Sequence, residues 1–465
     1  ADIYPLAPLQ EGIFFHHMLH ADSGSDVYVL PSVLRFDSRE RLDAFTGALQ
    51  RVVDRHDILR TAFVWQDLPQ PVQVVLRTAP IPVQHVHWEP QPSVTFADQL
   101  VAASPASMDI GQAPLIRLYT AQDPDTGAWH ALIQVHHLIQ DHTTLDILLA
   151  EIQAMVAGRE ESLPEPLPFR DFVAQARLGT PREEHERFFA ELLGDVTEPT
   201  APFGVVDVQG DGGAVRETVL PVDADLAGRL RMQARALGVS PATVFHLAWA
   251  RLAGALSGRD DVVFGTVLFG RMNAGAGADR VPGLFINTLP VRARLDEQSV
   301  ADALTGMHRH LADLLAHEHA PLALAQQASG LPPQTPLFTS LLNYRHSAEA
   351  GTASGNTLEG VESLYSRERT NYPLGVFIDD STVGFHFTVQ AADPIDAGAV
   401  ARWMHTVTEN IVRALESAPR TPVRRVEVLG DADRRRLLVE WNETARPVAG
   451  ATLVELFEAR VAGAP

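Results

Sequence analysis

The chain has 465 residues, enough for two or three packed units, and its 46% hydrophobic and 20% charged residues are typical of a globular protein. The formal net charge of −21 disfavours a duplex-DNA or anionic-membrane surface, and no apolar run approaches the roughly 20 residues that span a bilayer. The absence of cysteine from the sequence excludes disulfides, thiolate nucleophiles and cysteine-bound zinc. The start shows no secretory-signal pattern, and both ends of the sequence look like ordinary chain, so we predict a cytoplasmic piece of a longer polypeptide. Because of the net charge and the lack of a long apolar run, we expect no nucleic-acid or membrane partner.

The first part of the chain predicts a mixed helix and strand unit. Ser38 precedes a helical pattern of apolar residues, as an N-cap residue would. Residues 59–65 and 129–135 are apolar runs of strand length, and the second is apolar enough to be buried on both faces. From Thr143 the apolar spacing is helical, and it ends near Gly158.

A second mixed unit follows the proline-rich break at residues 163–168. A helix is predicted over residues 223–237 and is closed by Gly238, and Ser240 with the proline after it opens the next helix. A strand is predicted over residues 262–268. Two α/β lobes of similar size create a cleft between them, which is a common place for a ligand site.

Two later segments lack the apolar periodicity that is typical of helices and strands in a hydrophobic core. Residues 273–283 form a loop rich in glycine and alanine, which is either a flexible lid or an ordinary surface loop. From about Asp431 the chain is charged and ends on an amphipathic stretch, as a linker into a neighbouring unit would. The arginines of this region, Arg424, Arg425, Arg434, Arg435 and Arg436, predict a solvated helix face.

The segment His136-His137-Leu-Ile-Gln-Asp141 carries chemistry, because it joins the end of a buried strand to the start of a helix. A neutral imidazole there can accept a proton near neutral pH, although a pair of structural histidines would show the same pattern. A zinc site that includes His142 is disfavoured, because adjacent histidines on a strand point to opposite faces. A serine hydrolase is disfavoured because the sequence has no Gly-x-Ser-x-Gly elbow.

The same segment resembles the His-His-x-x-x-Asp-Gly motif of the condensation domains of nonribosomal peptide synthetases. Six further segments resemble motifs of that family and occur in the family's order: YPLAPLQEGIFFH (4–16), RHDILRTAF (55–63), FRDF (169–172), PGLFINTLPVR (282–292), HEHAPL (317–322) and RERTNYPL (367–374). The resemblance runs to about residue 430, and the tail at 433–457 resembles the stretch that leads into an adenylation domain.

The resemblance implies an α/β (α+β) fold with two chloramphenicol acetyltransferase-like lobes in a V-shaped pseudo-dimer and a tunnel between them. The N-terminal lobe with the double-histidine motif would cover residues 1–172. The C-terminal lobe, with a floor loop and a lobe-bridging segment, would cover residues 173–430. Residues 431–465 would be a linker and the start of an adenylation domain.

The resemblance also assigns site residues. His137 matches the catalytic position, and Asp141 matches a mainly structural aspartate that Arg271 would pair. The remaining implied residues are supporting ones (His136, His142, Thr144 and Asn287) and ones in the substrate channel (Gly283, Phe285 and Asn371), with no metal ligand. Arg60, Arg292 and the supporting His136 are expected to be scaffold, and six further histidines are expected on a helix or loop surface: His16, His17, His308, His310, His317 and His319. The family's motif glycine is His142 here, which implies either an ordinary backbone at that position or an imidazole pointing into the channel.

The implied reaction is amide bond formation between two substrates carried as thioesters on phosphopantetheine arms, with no covalently bound cofactor. The donor arm belongs to an upstream carrier domain, the acceptor arm to a downstream one, and an adenylation domain adjoins in the same polypeptide. His137 acts either as general base or by positioning the acceptor amine. The alternatives are an epimerisation domain, which shares the double histidine, and an inactive carrier-docking platform. A cyclisation domain is disfavoured by His136, and a coenzyme A acyltransferase of the same fold by the adenylation-like tail.

Overall fold

The computed structural model describes residues 2–19, 26–87, 94–206, 215–272, 274–275, 277–346, 358–366, 370–381, 384–446 and 450–463. In chain order the strands are β1 (Asp2–Pro5), β2 (Val29–Phe36), β3 (Thr61–Val64), β4 (Val72–Val75), β5 (Val83–His85), β6 (Ile116–Gln122), β7 (Trp129–His136), β8 (Val215–Pro221), β9 (Asp261–Leu268), β10 (Asn287–Arg294), β11 (Ser340–His346), β12 (Val361–Ser366), β13 (Leu374–Asp380) and β14 (Phe385–Ala392). The helices are α1 (Pro8–Leu19), α2 (Arg39–Arg55), α3 (Phe96–Ala102), α4 (His142–Val156), α5 (Phe169–Leu178), α6 (Arg182–Leu193), α7 (Ala224–Leu237), α8 (Pro241–Ser257), α9 (Val300–Leu315), α10 (Leu322–Ala328), α11 (Ala397–Ser417), α12 (Asp431–Leu438) and α13 (Leu453–Ala462).

Three sheets organise the described residues. The first half of the chain builds a small sheet, β1-β4-β3, and most of a five-stranded sheet, β12-β2-β7-β6-β5. The second half builds a six-stranded sheet, β10-β9-β11-β13-β14-β8. Strand β12 belongs to the second half in sequence but pairs antiparallel with β2, with Val361 opposite Phe36. A segment of the later half therefore completes the sheet of the first half and bridges the two lobes.

Each large sheet has its own hydrophobic core. In the first core, α2 and α4 pack with residues of β2 and β7, and in the second, α7, α8 and α11 pack with the six-stranded sheet. Helix α5 places Phe169 and Phe172 in the first core, where they meet Phe285 from the second half. The predicted lobe boundary at residue 172 falls inside α5, and the division of the chain at that residue stays a prediction.

Local sequence signals define several of these elements. The Ser38 hydroxyl accepts the Arg41 N–H at the start of α2, and Ser240 does the same for Thr243 at the start of α8. Helix α7 ends at Gly238, whose φ of 68° is the left-handed conformation that glycine adopts without steric cost. These helices and strands β7 and β9 confirm the predicted ones. The strand predicted over 59–65 is shorter, because residues 58–60 form a 3₁₀ turn before β3 begins.

The tail is solvated along its described length, and neither α12 nor α13 contains a buried residue. Of its basic residues, Arg424, Arg434 and Arg435 are 45–75% exposed and lie beside glutamates Glu297, Glu427 and Glu440. This is the solvated face that the sequence predicts. Among the described residues, no helix combines the length and the apolar character needed to cross a membrane.

We predict that the protein loses stability in mild acid, because His246 on α8 is buried in its neutral form. Its Nδ1 donates to the Ala242 carbonyl (2.7 Å) and its Nε2 accepts the Thr266 hydroxyl (2.8 Å), while burial lowers its pKa to about 4. In the unfolded chain this histidine is protonated near its ordinary pKa of about 6.5. The contribution of His246 to the free energy of unfolding is therefore complete above that pH and decreases as the pH falls towards 4. The full loss is on the order of 3 kcal/mol, of which about 2 kcal/mol is expected by pH 5.

The measurement is urea unfolding of the wild type and of His246→Gln at pH 7.5 and pH 5. The wild type should lose more stability between the two pH values than the variant, because glutamine does not titrate. His308→Gln, at an exposed position on α9, is the control and should behave as the wild type does. An equal loss in His246→Gln and in the wild type would contradict the assignment.

Candidate active site

His137 lies immediately beyond the end of β7, at the start of a 3₁₀ turn over His137–Ile139. Its backbone N–H donates to the carbonyl of Tyr28, the residue before β2, at 2.8 Å, and this bond holds the turn against the start of that strand. Its ring Nδ1 lies 2.7 Å from the Gln140 carbonyl oxygen. Because a carbonyl only accepts, Nδ1 carries the proton, and Nε2 of the neutral ring keeps its lone pair. Nε2 is therefore the nitrogen that can act as a base or accept a hydrogen bond.

A cavity of about 870 Å³ lies between the two lobes, with the half-buried His137 on its wall. The first half of the chain contributes α1, the segment around Tyr28 and the start of α4, and the second half contributes β9, β10, β11 and the segment before β13. Much of the wall is apolar: Phe15, Phe269, Met272, Ile286, Leu341 and Phe377. The volume is in the range of sites that hold a small molecule, and the polar groups on the wall include four histidines, His16, His137, His142 and His346.

Asp141 and Arg271 form a buried ion pair behind His137. The side chains are 0% and 1% exposed, and Arg271 Nη2 lies 2.8 Å and 3.0 Å from the two carboxylate oxygens. Asp141 also accepts the backbone N–H groups of Thr144, as the N-cap of α4, and of Phe285 (2.8 and 3.1 Å). Burial lowers the pKa of Arg271, and the charge of Asp141 opposes that shift. Both oxygens of Asp141 are occupied, so this carboxylate is not available as a base.

The loop after β9 is held from behind by Arg271. The guanidinium lies over the ring of Phe285, 3.8 Å from its centre, and Nη1 donates to the carbonyls of Ala278 and Val281 (2.6 and 2.7 Å). The Thr144 hydroxyl accepts the Gly283 N–H at 2.9 Å and joins the same network. Of the predicted loop 273–283, residues 273 and 276 lie outside the described residues, and Ala278 and Val281, whose carbonyls accept from Arg271, are buried in the first core.

Gly283 and Phe285 require a correction, because we predicted them in the substrate channel and they do not line the cavity. Phe285 is 1% exposed and packs on the rings of Phe169 and Phe172. At Gly283 the backbone φ is 149°, and a Cβ would lie 2.3 Å from the Phe169 ring. Only a residue without a side chain fits so close to that ring, so both positions serve the packing behind the site.

The remaining predicted residues fall at or beside the cavity. Asn371 lines it, although residues 367–369 of the same motif lie outside the described residues. Asn287 also lines it, but its Nδ2 donates to the Glu318 and Ala320 carbonyls (2.8 and 2.7 Å), so this amide anchors the neighbouring loop. His136 is fully buried and does not line the cavity.

His142, the departure from the family's motif, is the first residue of α4, and its exposed side chain lines the cavity. Among the described residues other than glycine, positive φ occurs at Asp67 and Phe203 only, so the backbone at His142 is ordinary. No glycine is therefore needed for the turn, and the side chain that replaces it forms part of the cavity wall.

Some histidines predicted on the surface lie elsewhere. The His17 side chain is only 14% exposed and contacts Asp26, His16 lines the cavity, and the buried His317 stacks on Phe188 at 4.1 Å. Arg60 and Arg292 are scaffold, as expected: Arg60 donates to the Leu76 carbonyl and Arg292 pairs with two aspartates.

Asp26 is a residue of this region that the sequence did not predict. Within the described ranges, the three potential metal ligands that lie close together are His17, Asp26 and His136, so the zinc arrangement weighed for the motif does not form.

Comparison with known proteins assigns a family. The family model of the condensation domain matches residues 1–438. Malpinin synthetase of Mortierella alpina is 44% identical to this chain over 467 residues, which cover 100% of the chain and 6% of that protein. Malpibaldin synthetase of the same organism is 44% identical over 445 residues, covering 95% of the chain and 8% of that protein. The chain thus spans less than a tenth of the length of either relative.

A solved condensation domain has a similar fold. The first condensation domain of the calcium-dependent antibiotic synthetase, solved with a substrate analogue, superposes with a TM-score of 0.67 at 18% identity. The match covers 92% of this chain and 100% of that one. At this identity the likeness concerns the fold, which is the mixed helix and sheet architecture expected from the sequence.

Proposed function

We propose, because this chain belongs to the condensation-domain family, that it forms an amide bond between two carrier-bound substrates of nonribosomal peptide synthesis. The donor is an acyl or peptidyl thioester on an upstream carrier domain, and the acceptor is the amine of an aminoacyl thioester on a downstream one. The observation that carries the proposal is the position of His137, whose ring lies on the wall of an 870 Å³ cavity between lobes of a chloramphenicol acetyltransferase-like fold.

The proposed reaction balances without a cofactor. The acceptor nitrogen attacks the donor carbonyl carbon, the new C–N bond forms, and the C–S bond to the donor arm breaks. The nitrogen loses one proton and the departing sulfur gains one, and His137 Nε2 carries that proton where the residue acts as a general base. A free α-amine has a pKa of about 8, so roughly a tenth of it is already neutral at pH 7. The histidine is therefore needed mainly when the attacking nitrogen becomes cationic.

His137 has two possible contributions, and its hydrogen bond to Gln140 serves both. As a general base it would accelerate the reaction by about 10²–10⁴-fold. As a positioning group it would hold the amine against the thioester, and the cavity would supply the effective concentration. In either case Nδ1–H is already committed to the Gln140 carbonyl, so Nε2 meets the substrate without a change of tautomer.

The partners belong to the same proposal. We assign an upstream carrier, a downstream carrier and an adjoining adenylation domain, with the substrates delivered on phosphopantetheine arms that this chain does not hold covalently. The curated relatives are synthetases many times longer than this chain, which supports a role as one unit of an assembly line. The cytoplasmic location stays a prediction.

The test is a mass-spectrometric assay of the chain with a panel of carrier proteins, the donors loaded with acyl groups and the acceptors with aminoacyl groups. The expected product is the combined acyl-aminoacyl group on the acceptor arm. The same reaction in D₂O separates the rivals, because an epimerisation domain would exchange the donor's α-hydrogen for deuterium without transfer. Exchange without transfer, or binding of the carriers with neither reaction, would overturn the proposal.

A further inference from the structure

Three side chains that the proposed mechanism does not use meet behind His137. His17 Nδ1 lies 2.6 Å and His136 Nε2 lies 3.0 Å from the same oxygen, Oδ2, of Asp26. The other oxygen of Asp26 accepts the Tyr28 N–H at 2.9 Å. The side chains of His136 and Asp26 are 0% and 5% exposed, and that of His17 is 14% exposed. We call these three residues the Asp26 cluster.

The protons of the Asp26 cluster follow from its geometry. His136 Nδ1 accepts the Leu138 N–H at 3.1 Å, so in the neutral ring the proton is on Nε2, which faces Asp26. Burial lowers the pKa of His136 and thus favours the neutral ring. Burial alone would raise the pKa of Asp26, but the hydrogen bonds from His136 and His17 hold it well below its usual range. A carboxylate only accepts, so both histidines donate to it.

The same geometry argues against a metal ion, although the three ligand atoms lie within 4.8 Å of one another. A metal-bound histidine is a neutral ring that donates its second N–H to an acceptor. His136 instead accepts a hydrogen bond at that second nitrogen, so a metal on Nε2 would require an imidazolate. The Asp26 cluster is therefore a hydrogen-bonded network.

The network holds the turn that carries His137. The His136 side chain accepts the Leu138 N–H and so caps the 3₁₀ turn over His137–Ile139, and the His137 N–H donates to the carbonyl of Tyr28, two residues after Asp26. Asp26 is thus linked to the turn through a side chain and through the backbone. A shift of His136 would move the Leu138 amide and with it the ring of His137.

We propose that Asp26 and His17 are positioning residues, which fix His136 in its Nε2–H form and thereby set the His137 ring in the cavity. This assignment rests on the proposed function, since it concerns the histidine assigned to the reaction. The two residues do not line the cavity, so they act through His136 and not on the substrate.

The first test uses His17, the most exposed member of the cluster, where substitution leaves the core intact. His17→Leu removes the donor to Asp26, whereas His17→Asn keeps an N–H near the place of Nδ1. We expect His17→Leu to lower kcat about 10- to 100-fold at unchanged KM for the loaded acceptor, and His17→Asn to restore most of the loss. His405→Leu is the matched control, because it breaks a histidine–aspartate contact with Asp223 (3.6 Å) away from the cavity. It should leave kcat unchanged.

The second test reads the ring of His137 directly and does not depend on turnover. In ¹⁵N spectra of the histidine side chains, the wild type should show His137 as the Nδ1–H tautomer, assigned by comparison with His137→Asn. His17→Leu and Asp26→Asn should shift or broaden that signal. If the wild type makes no amide while these shifts appear, the proposed function fails and the positioning role stands.

Three outcomes would overturn the positioning role. One is wild-type kcat together with an unshifted His137 signal in both His17→Leu and Asp26→Asn. Another is a fall of kcat in His17→Asn as large as in His17→Leu. The third is loss of activity on treatment with a chelator and its return with Zn²⁺ alone, which would make the cluster a metal site.

Discussion

His137→Ala is expected to lower the rate of amide formation by about 10²–10⁴-fold or more, while the fold is retained. The ring is half-buried and lies on the wall of the cavity, so its removal leaves no unpaired charge in the core. What is lost is the lone pair of Nε2 and the donor to the Gln140 carbonyl. The measurement is the single-turnover rate with both carriers loaded, together with the thermal unfolding midpoint. Wild-type turnover by the folded variant would rule out a catalytic role.

Two conservative variants of His137 distinguish general base catalysis from positioning of the amine. His137→Asn keeps a donor for the Gln140 carbonyl but has no group in the place of Nε2, so it should be as slow as alanine. His137→Gln places an amide oxygen near Nε2, which can accept a hydrogen bond from the amine but is not a base. If His137 acts by general base catalysis, glutamine will be as slow as alanine. If it acts by positioning, glutamine will retain a substantial part of the wild-type rate.

Asp141→Ala and Arg271→Ala are each expected to destabilise the chain by about 3–5 kcal/mol, because each leaves the partner's charge buried and unpaired. The ion pair is fully buried, and Asp141 in addition caps α4 and accepts the Phe285 N–H. The pair joins the start of α4 in the first lobe to the loop after β9 in the second. The measurement is denaturant unfolding of both single variants and of the double variant.

The double variant tests the pairing itself. Once one partner is gone, removal of the other should cost far less than it does in the wild type, so the losses should not add. The exposed pair Arg39–Asp43 is the control: with side chains 55% and 60% exposed, Asp43→Ala should cost less than about 1 kcal/mol. An Asp141→Ala variant that unfolds as the wild type does, yet makes no amide, would show that Asp141 belongs to the chemistry and not to the scaffold.

The sequence predicts best what is decided locally. Helices α2, α7 and α8 begin at serine or aspartate caps, and α7 ends at Gly238, so residues close together in sequence are enough to place them. The Asp141–Arg271 contact joins residues 130 positions apart, and it was expected only because the motifs resemble those of a known family. Without that resemblance, the residue pattern predicts only the end of β7, the start of α4 and a reactive histidine between them.

What the sequence did not predict depends on packing between distant segments. Asp26 and His136 are 110 positions apart, and nothing near Asp26 in sequence distinguishes it from a surface aspartate. Gly283 and Phe285 belong to a family motif, but their orientation depends on Phe169, which comes from the first half of the chain. The pairing of β12 with β2 likewise joins segments more than 300 residues apart. Such contacts become visible only when the chain is folded.

The most direct measurement of the central claim is a structure of the chain with both arms in place, the donor carrying a non-transferable analogue of its thioester. We predict that the two arms meet in the cavity between the lobes and that the acceptor nitrogen lies about 3 Å from Nε2 of His137. An acceptor nitrogen that reaches the donor carbonyl with His137 out of hydrogen-bonding range, even through one water, would contradict the account. So would a pair of arms that meet anywhere other than this cavity.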